Sequence, residues 1–183
     1  FGGPYNDYGA DLVETADGGY AILGTTGSYA TGQSNMYLLK INSDLEKEWS
    51  TTFGGANVEW GTAIEQVDDG FLLLGYTNST SNGDYDIYLV KCDSDGAFIW
   101  DRTFGGSDWE FGYDMLIEND RIYIAGESWS FSNGQSDGYL IEVDSGGNEL
   151  WSEHFGGANK DVFRDLFIGQ GEIVAVGTES LGT

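Results

Sequence analysis

Residues 53–60 read FGGANVEW, and the same Phe-Gly-Gly triplet begins at positions 1, 104 and 155. The four copies are separated by 52, 51 and 51 residues. A fixed internal period of this length is the mark of a repeat architecture, in which each repeat forms one supersecondary unit. The triplets therefore divide the chain into repeats 1–52, 53–103 and 104–154 and a partial repeat 155–183.

Other parts of each repeat keep the same period. The apolar runs GYAILG, GFLLLG, RIYIAG and EIVAVG end 51 residues apart, at Gly24, Gly75, Gly126 and Gly177. In the three full repeats a tyrosine follows thirteen residues later and a tryptophan twelve residues after that. In the first repeat this pattern predicts strands around YGADLVET, YAILGTT, MYLLKIN and KEWSTTF. The second and third are nearly continuous apolar runs, which are typical of strands covered on both faces.

The segments are joined by short turns rich in Asp and Gly, such as ADGG at 16–19, DSDG at 93–96 and DSGG at 144–147. Such turns connect antiparallel strands, and no segment has the 3.6-residue apolar period of a helix. The sequence predicts an all-β fold. Four antiparallel strands in each repeat of about 51 residues favour a β-propeller of four-stranded blades over a stacked solenoid. Three and a half blades do not close a ring, so we expect a fragment of a larger propeller, or one completed by another copy.

The repeat pattern DGGYAILGTTGS…GQSNMYLLKINSDLEKEWSTTFGG resembles the repeats of bacterial and archaeal secreted or cell-surface β-propeller proteins. More distant similarities are to kelch blades and to quinoprotein blades, which place a Gly four residues before a Trp, as at Gly96 and Trp100. Leu45 departs from this pattern in the first repeat. The resemblance covers the whole chain and implies one propeller domain, residues 1–183, with an extracellular or cell-surface location.

Composition excludes several classes of function. Seven Lys and Arg residues stand against 31 Asp and Glu, giving a formal charge of -24. Such a surface repels nucleic acid, and no apolar run is long enough for direct insertion into a membrane. The single Cys92 cannot form an internal disulfide and is predicted to fill an apolar core position. The single His154 leaves neither a hydrolytic triad nor a zinc site, so no catalytic residue is assigned and no cofactor is expected.

An acidic residue lies six positions after each Phe of the triplet: Asp7, Glu59, Glu110 and Asp161. These carboxylates either ring one mouth of a central channel and attract cations, or accept hydrogen bonds from amides of their own loops. Asp86 and Asp137 allow the same two interpretations. Asp93 and Asp95 form a weak candidate calcium site, because DSDG lacks the other ligands of an EF-hand loop.

Residues that do not repeat are better candidates for recognition. Trp109 and Trp129 have no aromatic counterpart in the other repeats. Two residues after the Trp129 position, the third repeat has Phe131 and the first repeat has Tyr29. Exposed aromatic side chains bind sugar rings or anchor a protein partner. Asn78 begins an N-glycosylation sequon, Asn-Ser-Thr.

These features favour a non-catalytic extracellular module that binds or scaffolds protein or glycan partners. Two alternatives stay open. One is a propeller-type glycan hydrolase or lyase that uses carboxylates at the channel mouth. The other is a surface or filament subunit that self-associates through open strand edges.

Overall fold

The computed structural model describes residues 2–169 and 171–180, and its regular structure is entirely β. The first repeat forms β1 (Asp7–Glu14), β2 (Tyr20–Thr26), β3 (Asn35–Ile41) and β4 (Lys47–Phe53). The second forms β5 (Glu59–Val67), β6 (Gly70–Thr77), β7 (Asp86–Asp93) and β8 (Phe98–Phe104). The third forms β9 (Glu110–Glu118), β10 (Arg121–Ser128), β11 (Asp137–Asp144) and β12 (Glu149–Phe155). The partial repeat forms β13 (Asp161–Gly169) and β14 (Glu172–Glu179).

Each full repeat folds into its own four-stranded antiparallel sheet, with the strands side by side in chain order. The partial repeat adds a two-stranded sheet of β13 and β14. The prediction of an all-β chain with four antiparallel strands per full repeat is confirmed. Across the described part of the chain, no helix is long and apolar enough to cross a membrane.

The chain divides into two compact units. The first unit runs to Thr80 and also includes Tyr88–Thr103, and the second unit comprises Ser81–Ile87 and the residues from Phe104 onward.

In the first unit, two sheets pack face to face around an apolar core. The sheet of β1–β4 contributes Ala21, Leu23, Met36 and Leu38, all fully buried. Facing them in the same cluster are side chains of the next repeat: Ile64, Phe71, Leu73, Tyr88, Val90 and Cys92. Cys92 fills the small apolar position predicted for it. Burial of these side chains supplies the main stabilisation of the unit, since each large one contributes about 1.5–3 kcal/mol.

Hydrogen bonds between adjacent repeats fix how their sheets are aligned. In the first unit, Ile64 donates its backbone N–H to Asp11 Oδ2 over 3.0 Å. In the second unit, Leu166 donates to Asp114 Oδ2 over 2.7 Å. Asp11 and Asp114 both lie ten residues after the Phe of their triplets. Aspartates at one repeat position therefore accept a backbone N–H from the following repeat in two places.

The glycine that ends the apolar run of each second strand has a steric role. A β-bulge in the first strand pushes a carbonyl oxygen toward this glycine. A Cβ at Gly24 would lie 2.1 Å from the Tyr8 oxygen, and one at Gly75 would lie 1.8 Å from that of Trp60. The third and fourth repeats show the same approach at Gly126 and Gly177. The recurrence of this glycine therefore follows from the bulge.

The Phe of the triplet ends the fourth strand of each full repeat, in agreement with the predicted strand KEWSTTF. Phe53, Phe104 and Phe155 are the last residues of β4, β8 and β12, and only the two glycines belong to the connection. Phe53 and Phe104 are buried, whereas Phe155 is exposed.

Candidate functional site

The two tryptophans predicted from their failure to repeat lie together in the second unit. Trp109 immediately precedes β9 and Trp129 immediately follows β10. The backbone N–H of Trp129 donates to the carbonyl oxygen of Trp109 over 2.9 Å, which joins the two loops. The indole rings meet edge to face, with centroids 5.9 Å apart. This geometry is favourable for two aromatic rings and holds Trp109 in one orientation.

Trp109 is both exposed and anchored. Its side chain is 43% exposed, and its indole Nε1–H donates to Asp84 Oδ2 over 2.8 Å. Phe111 packs beside it at a centroid distance of 6.4 Å, and Tyr85 lies 5.8 Å from Phe111. A flat apolar surface next to a carboxylate is thus presented to solvent without the freedom of an ordinary surface side chain.

Behind the tryptophans lies a buried carboxylate, Glu127, that is 2% exposed. It accepts hydrogen bonds from Tyr113 Oη at 2.5 Å and Ser136 Oγ at 2.8 Å, and Lys160 Nζ lies 2.8 Å from its Oε2. Burial pushes the pKa of Glu127 upward, but the hydrogen bonds from Lys160, Tyr113 and Ser136 outweigh it and hold that pKa below its usual value. Glu127 is therefore a paired, ionised carboxylate.

Two cations complete this arrangement. Lys160 Nζ lies 5.9 Å from the ring centroid of Trp129, and the guanidinium of Arg164 lies 3.9 Å from that of Tyr113. Both distances are in the range of cation–π attraction. Glu127, Lys160, Arg164 and Asp84 were missed from the sequence. The two cations could have been noticed, because the chain has only seven basic residues and Lys160 and Arg164 both lie near the start of one repeat.

Phe131 and Tyr29 serve a different purpose from the tryptophan pair. Phe131 packs against Tyr139 and His154, at centroid distances of 6.1 and 4.9 Å. Tyr29, in the first unit, stacks on Tyr37 at 5.6 Å. Both therefore cover the tyrosine of a third strand at the same repeat position, although each is about half exposed. His154 is half-buried and stacks on Tyr139 at 4.5 Å.

The four acidic residues after the triplets accept hydrogen bonds inside their own loops. In every repeat, the second glycine of Phe-Gly-Gly donates its N–H to the carboxylate four residues later, over 2.7–2.8 Å. Thr26, Thr77 and Ser128 add a side-chain hydroxyl to Asp7, Glu59 and Glu110. For Asp7, the hydroxyl of Thr26 and the amide of Gly3 hold the pKa at about 2. Glu59 and Glu110 are fully buried.

Asp93 and Asn78, two other predicted polar sites, accept backbone N–H groups. Asp93 Oδ1 accepts the N–H groups of Asp95 and Ala97, over 3.0 and 2.8 Å. Within the residues that the structure describes, no cluster of three or more His, Cys, Asp or Glu side chains could hold a metal ion. The amide oxygen of Asn78, in the sequon, accepts the N–H of Val58 over 2.9 Å.

A shallow cleft of about 400 Å³ lies elsewhere in the second unit. Its walls come from β11, β13 and β14 and from the end of β12, and include the carboxylates of Asp161 and Glu179. A smaller cleft of about 230 Å³ in the first unit lies over the face of β1–β3 that is turned away from the core described above.

No protein-family model matches the chain. The regulatory protein FlaEY of Caulobacter vibrioides is 26% identical over 112 residues, which cover 54% of this chain and 12% of that protein. The chain thus spans about one eighth of the length of this curated relative. A crystal structure of a protein of unknown function from Bacteroides caccae superposes over 82% of this chain and 68% of that one, with 12% identity and a TM-score of 0.30.

Proposed function

We propose that this chain is part of a non-catalytic, extracellular or cell-surface β-propeller that binds a glycan through the surface around Trp109. This surface, called the Trp109 surface below, comprises Trp109, Trp129, Asp84 and Lys160. The observation that carries the proposal is an exposed Trp109 that is held by Asp84 and Trp129 but has no counterpart in the other repeats. Positions needed for the fold recur in this chain, so an immobilised exposed aromatic that does not recur needs another explanation.

The propeller architecture is supported by the way the repeats are built. Each full repeat is a four-stranded antiparallel meander, the two sheets of the first unit pack face to face, and the last strand of one sheet leads through Gly-Gly to the first strand of the next. These are features of propeller blades. The strong negative charge, -24, and the resemblance to secreted repeat proteins support an extracellular location.

The chemistry of the Trp109 surface suits a hydroxylated ring. The indole face provides a flat apolar platform, while Asp84 Oδ2, already an acceptor for the indole N–H, is placed to accept a hydroxyl hydrogen as well. Trp109 loses little conformational entropy on binding, because its neighbours already fix its side chain. Lys160 is paired with Glu127, so the surface lacks a free cation for an anionic ligand.

A glycan array followed by titration of each hit by calorimetry tests this proposal. We expect Trp109→Ala to weaken binding at least tenfold and Trp109→Phe to weaken it less, because the smaller ring keeps the platform but loses the bond to Asp84. Trp151→Ala is the matched control, since Trp151 is also exposed in the second unit but occupies a position that recurs in every full repeat. Equal loss in Trp109→Ala and Trp151→Ala would contradict the proposal, as would binding that survives Trp109→Ala. A protein ligand that requires Trp109 in place of any glycan would contradict the assignment to glycans.

Self-association is a second candidate, favoured by the exposed apolar side chains of the partial repeat. Phe167, Val174 and Val176 are 68%, 49% and 58% exposed, and among the described residues β14 pairs only with β13. Sedimentation velocity over a wide concentration range tests it. Concentration-dependent dimers that Val176→Lys abolishes would support self-association, and a single monomer peak throughout would exclude it.

A further inference from the structure

Two aspartates in the second unit have a buried carboxylate oxygen without any hydrogen-bond partner: Asp86 Oδ1 and Asp137 Oδ1. Asp86 is the first residue of β7 and Asp137 the first of β11, so they occupy the same position in successive repeats. Both are more than nine-tenths buried. An ionised oxygen left unpaired in such a place costs several kcal/mol, so its state needs a physical explanation.

Each unpartnered oxygen faces one of the loop carboxylates across the first glycine of a triplet. A Cβ at Gly105 would lie 2.4 Å from Asp86 Oδ1 and 2.5 Å from Glu110 Oε2. A Cβ at Gly156 would lie 2.5 Å from Asp137 Oδ1 and 2.6 Å from Asp161 Oδ2. Two carboxylates that share so small and buried a space cannot both be ionised without strong repulsion.

The first repeat shows what the site requires. Asn35, the first residue of β3, stands where Asp86 and Asp137 stand in the next two repeats. Its Oδ1 accepts the N–H of the residue four positions earlier, Thr31, at 3.1 Å, just as Asp86 Oδ2 accepts that of Asn82 at 2.8 Å. The remaining side-chain atom of Asn35, Nδ2, is an N–H donor and lies 3.5 Å from Thr31 Oγ1, whereas the corresponding oxygen of Asp86 has no partner. At this position the fold accommodates a neutral group with a hydrogen to donate.

We propose that Asp86 and Asp137 are proton-binding sites: in the folded protein each carries a proton on Oδ1 and donates it to Glu110 Oε2 and Asp161 Oδ2, respectively. Protonation makes each aspartate a neutral donor, like the amide of Asn35. The accepting oxygens each receive one backbone N–H, from Gly106 and Gly157, and have a second lone pair for the shared proton.

The groups around each site agree with this assignment. Burial, and then the charge of Glu110, raises the pKa of Asp86, while the amide of Asn82 opposes the shift. Burial, and then Asp161, raises the pKa of Asp137, while His154 and the amide of Asn133 oppose it. A bound cation would also relieve the repulsion, but each pair offers only two carboxylates, and the first repeat places the Nδ2 donor of Asn35 where a metal ligand would be needed.

Proton linkage tests the proposal directly. Unfolding exposes both aspartates, which then ionise at neutral pH, so the folded protein binds more protons than the unfolded protein. The slope of the unfolding free energy against pH, measured by urea denaturation at about pH 7.5, gives the number of protons released on unfolding. Asp86→Asn and Asp137→Asn should each lower this number by close to one. Asn35→Asp should add one. Asp95→Asn, an exposed control, should leave the slope unchanged.

Isotope-edited infrared spectroscopy of the wild-type protein gives a second readout that does not depend on any variant folding. A carboxylic-acid C=O band from labelled Asp at neutral pH, lost on unfolding, is expected. An unchanged slope in Asp86→Asn and Asp137→Asn, or absence of that band, would overturn the proposal. If calcium raised the melting temperature of the wild type but not that of Asp86→Asn, the site would be a cation site and not a proton-binding site.

Discussion

Gly55 donates its backbone N–H to Glu59 Oε2 over 2.7 Å, and the other oxygen of this buried carboxylate accepts the hydroxyl of Thr77 over 2.7 Å. Both oxygens therefore act as acceptors in a space closed to water. Glu59→Gln replaces one acceptor with an NH₂ group that faces a donor, so we expect a loss of about 1–3 kcal/mol in the free energy of unfolding. Urea denaturation measures this loss. Glu14→Gln, an exposed control in the same unit, should change stability by less than about 0.5 kcal/mol.

The two glycines of one triplet should respond differently to the same substitution. A Cβ at Gly156 would meet Asp137 Oδ1 and Asp161 Oδ2 at 2.5 and 2.6 Å, whereas a Cβ at Gly157 would meet nothing within 4 Å. Gly156→Ala should therefore destabilise the protein by about 1–3 kcal/mol through overpacking, and Gly157→Ala by much less. Thermal denaturation of the two single variants makes the comparison. Equal effects would show that the carboxylates move aside easily.

Leu45 is predicted to be a site of stored strain. It adopts a φ of +63°, in the turn between β3 and β4, whereas Gly96 and Gly147 occupy the corresponding turns with φ of +80° and +83°. A non-glycine residue in this left-handed region costs about 1–2 kcal/mol, partly offset by the entropy that glycine loses on folding. Leu45→Gly should raise the free energy of unfolding by roughly 0.5–1 kcal/mol.

The control for Leu45→Gly is Leu150→Gly, an exposed leucine in β12 whose backbone is not left-handed. That substitution should destabilise the protein. A loss of stability in both variants would contradict the assignment of strain to Leu45.

Asp114 should make stability depend on pH in the mildly acidic range. Burial, and then the nearby Asp165, raises its pKa from 3.8 to about 6, against the opposing hydrogen bond from Leu166. A raised pKa in the folded state means that the folded protein holds the proton more tightly, so the contribution of this group is complete below about pH 4 and is lost as the pH rises through 6. Asp114→Asn keeps an acceptor for Leu166 and should flatten this part of the pH profile. Asp120→Asn, in an exposed turn of the same sheet, should not.

Cys92 should be unreactive until the protein unfolds. Its thiol is fully buried, and burial raises its pKa to about 12, so almost no thiolate is present at neutral pH. Alkylation by iodoacetamide in native buffer should be slow and should accelerate with urea in parallel with unfolding. Fast labelling of the native protein would show that the β6–β7 region opens locally.

The strands were predictable because each repeat supplies its own comparison. Apolar runs such as GFLLLG and IYLVKC, bounded by Asp-Gly turns, matched β6 and β7 closely. Sequence spacing also located the acidic residue of each repeat. Of the two interpretations given for it, a carboxylate that accepts amide N–H groups of its own loop describes the hydrogen bonds of Glu59 and Glu110.

The Trp109 surface was only partly predictable. Failure to repeat identified Trp109 and Trp129, but Glu127 and Lys160 meet at 2.8 Å only because β10 and the loop before β13 are brought together by folding, and no local pattern encodes that meeting. Tyr29 and Phe131 were chosen by proximity in sequence, whereas the structure shows both covering third-strand tyrosines. The pairing of Asp86 with Glu110 also needed coordinates, since the absence of a side chain at Gly105 is what leaves room for it.

The hydrogen bond from Ile64 to Asp11 and that from Leu166 to Asp114 each join consecutive repeats within one unit. Such contacts depend on which two repeats are adjacent and not on how many repeats the chain contains. Duplicating a repeat that carries this aspartate would add another junction of the same kind, whereas repeat 53–103 has Ala63 at the same position. A chain built in this way can change its length by whole modules, but the Trp109 surface cannot move with one module alone, because Asp84 and Lys160 come from the repeats on either side of Trp109 and Trp129.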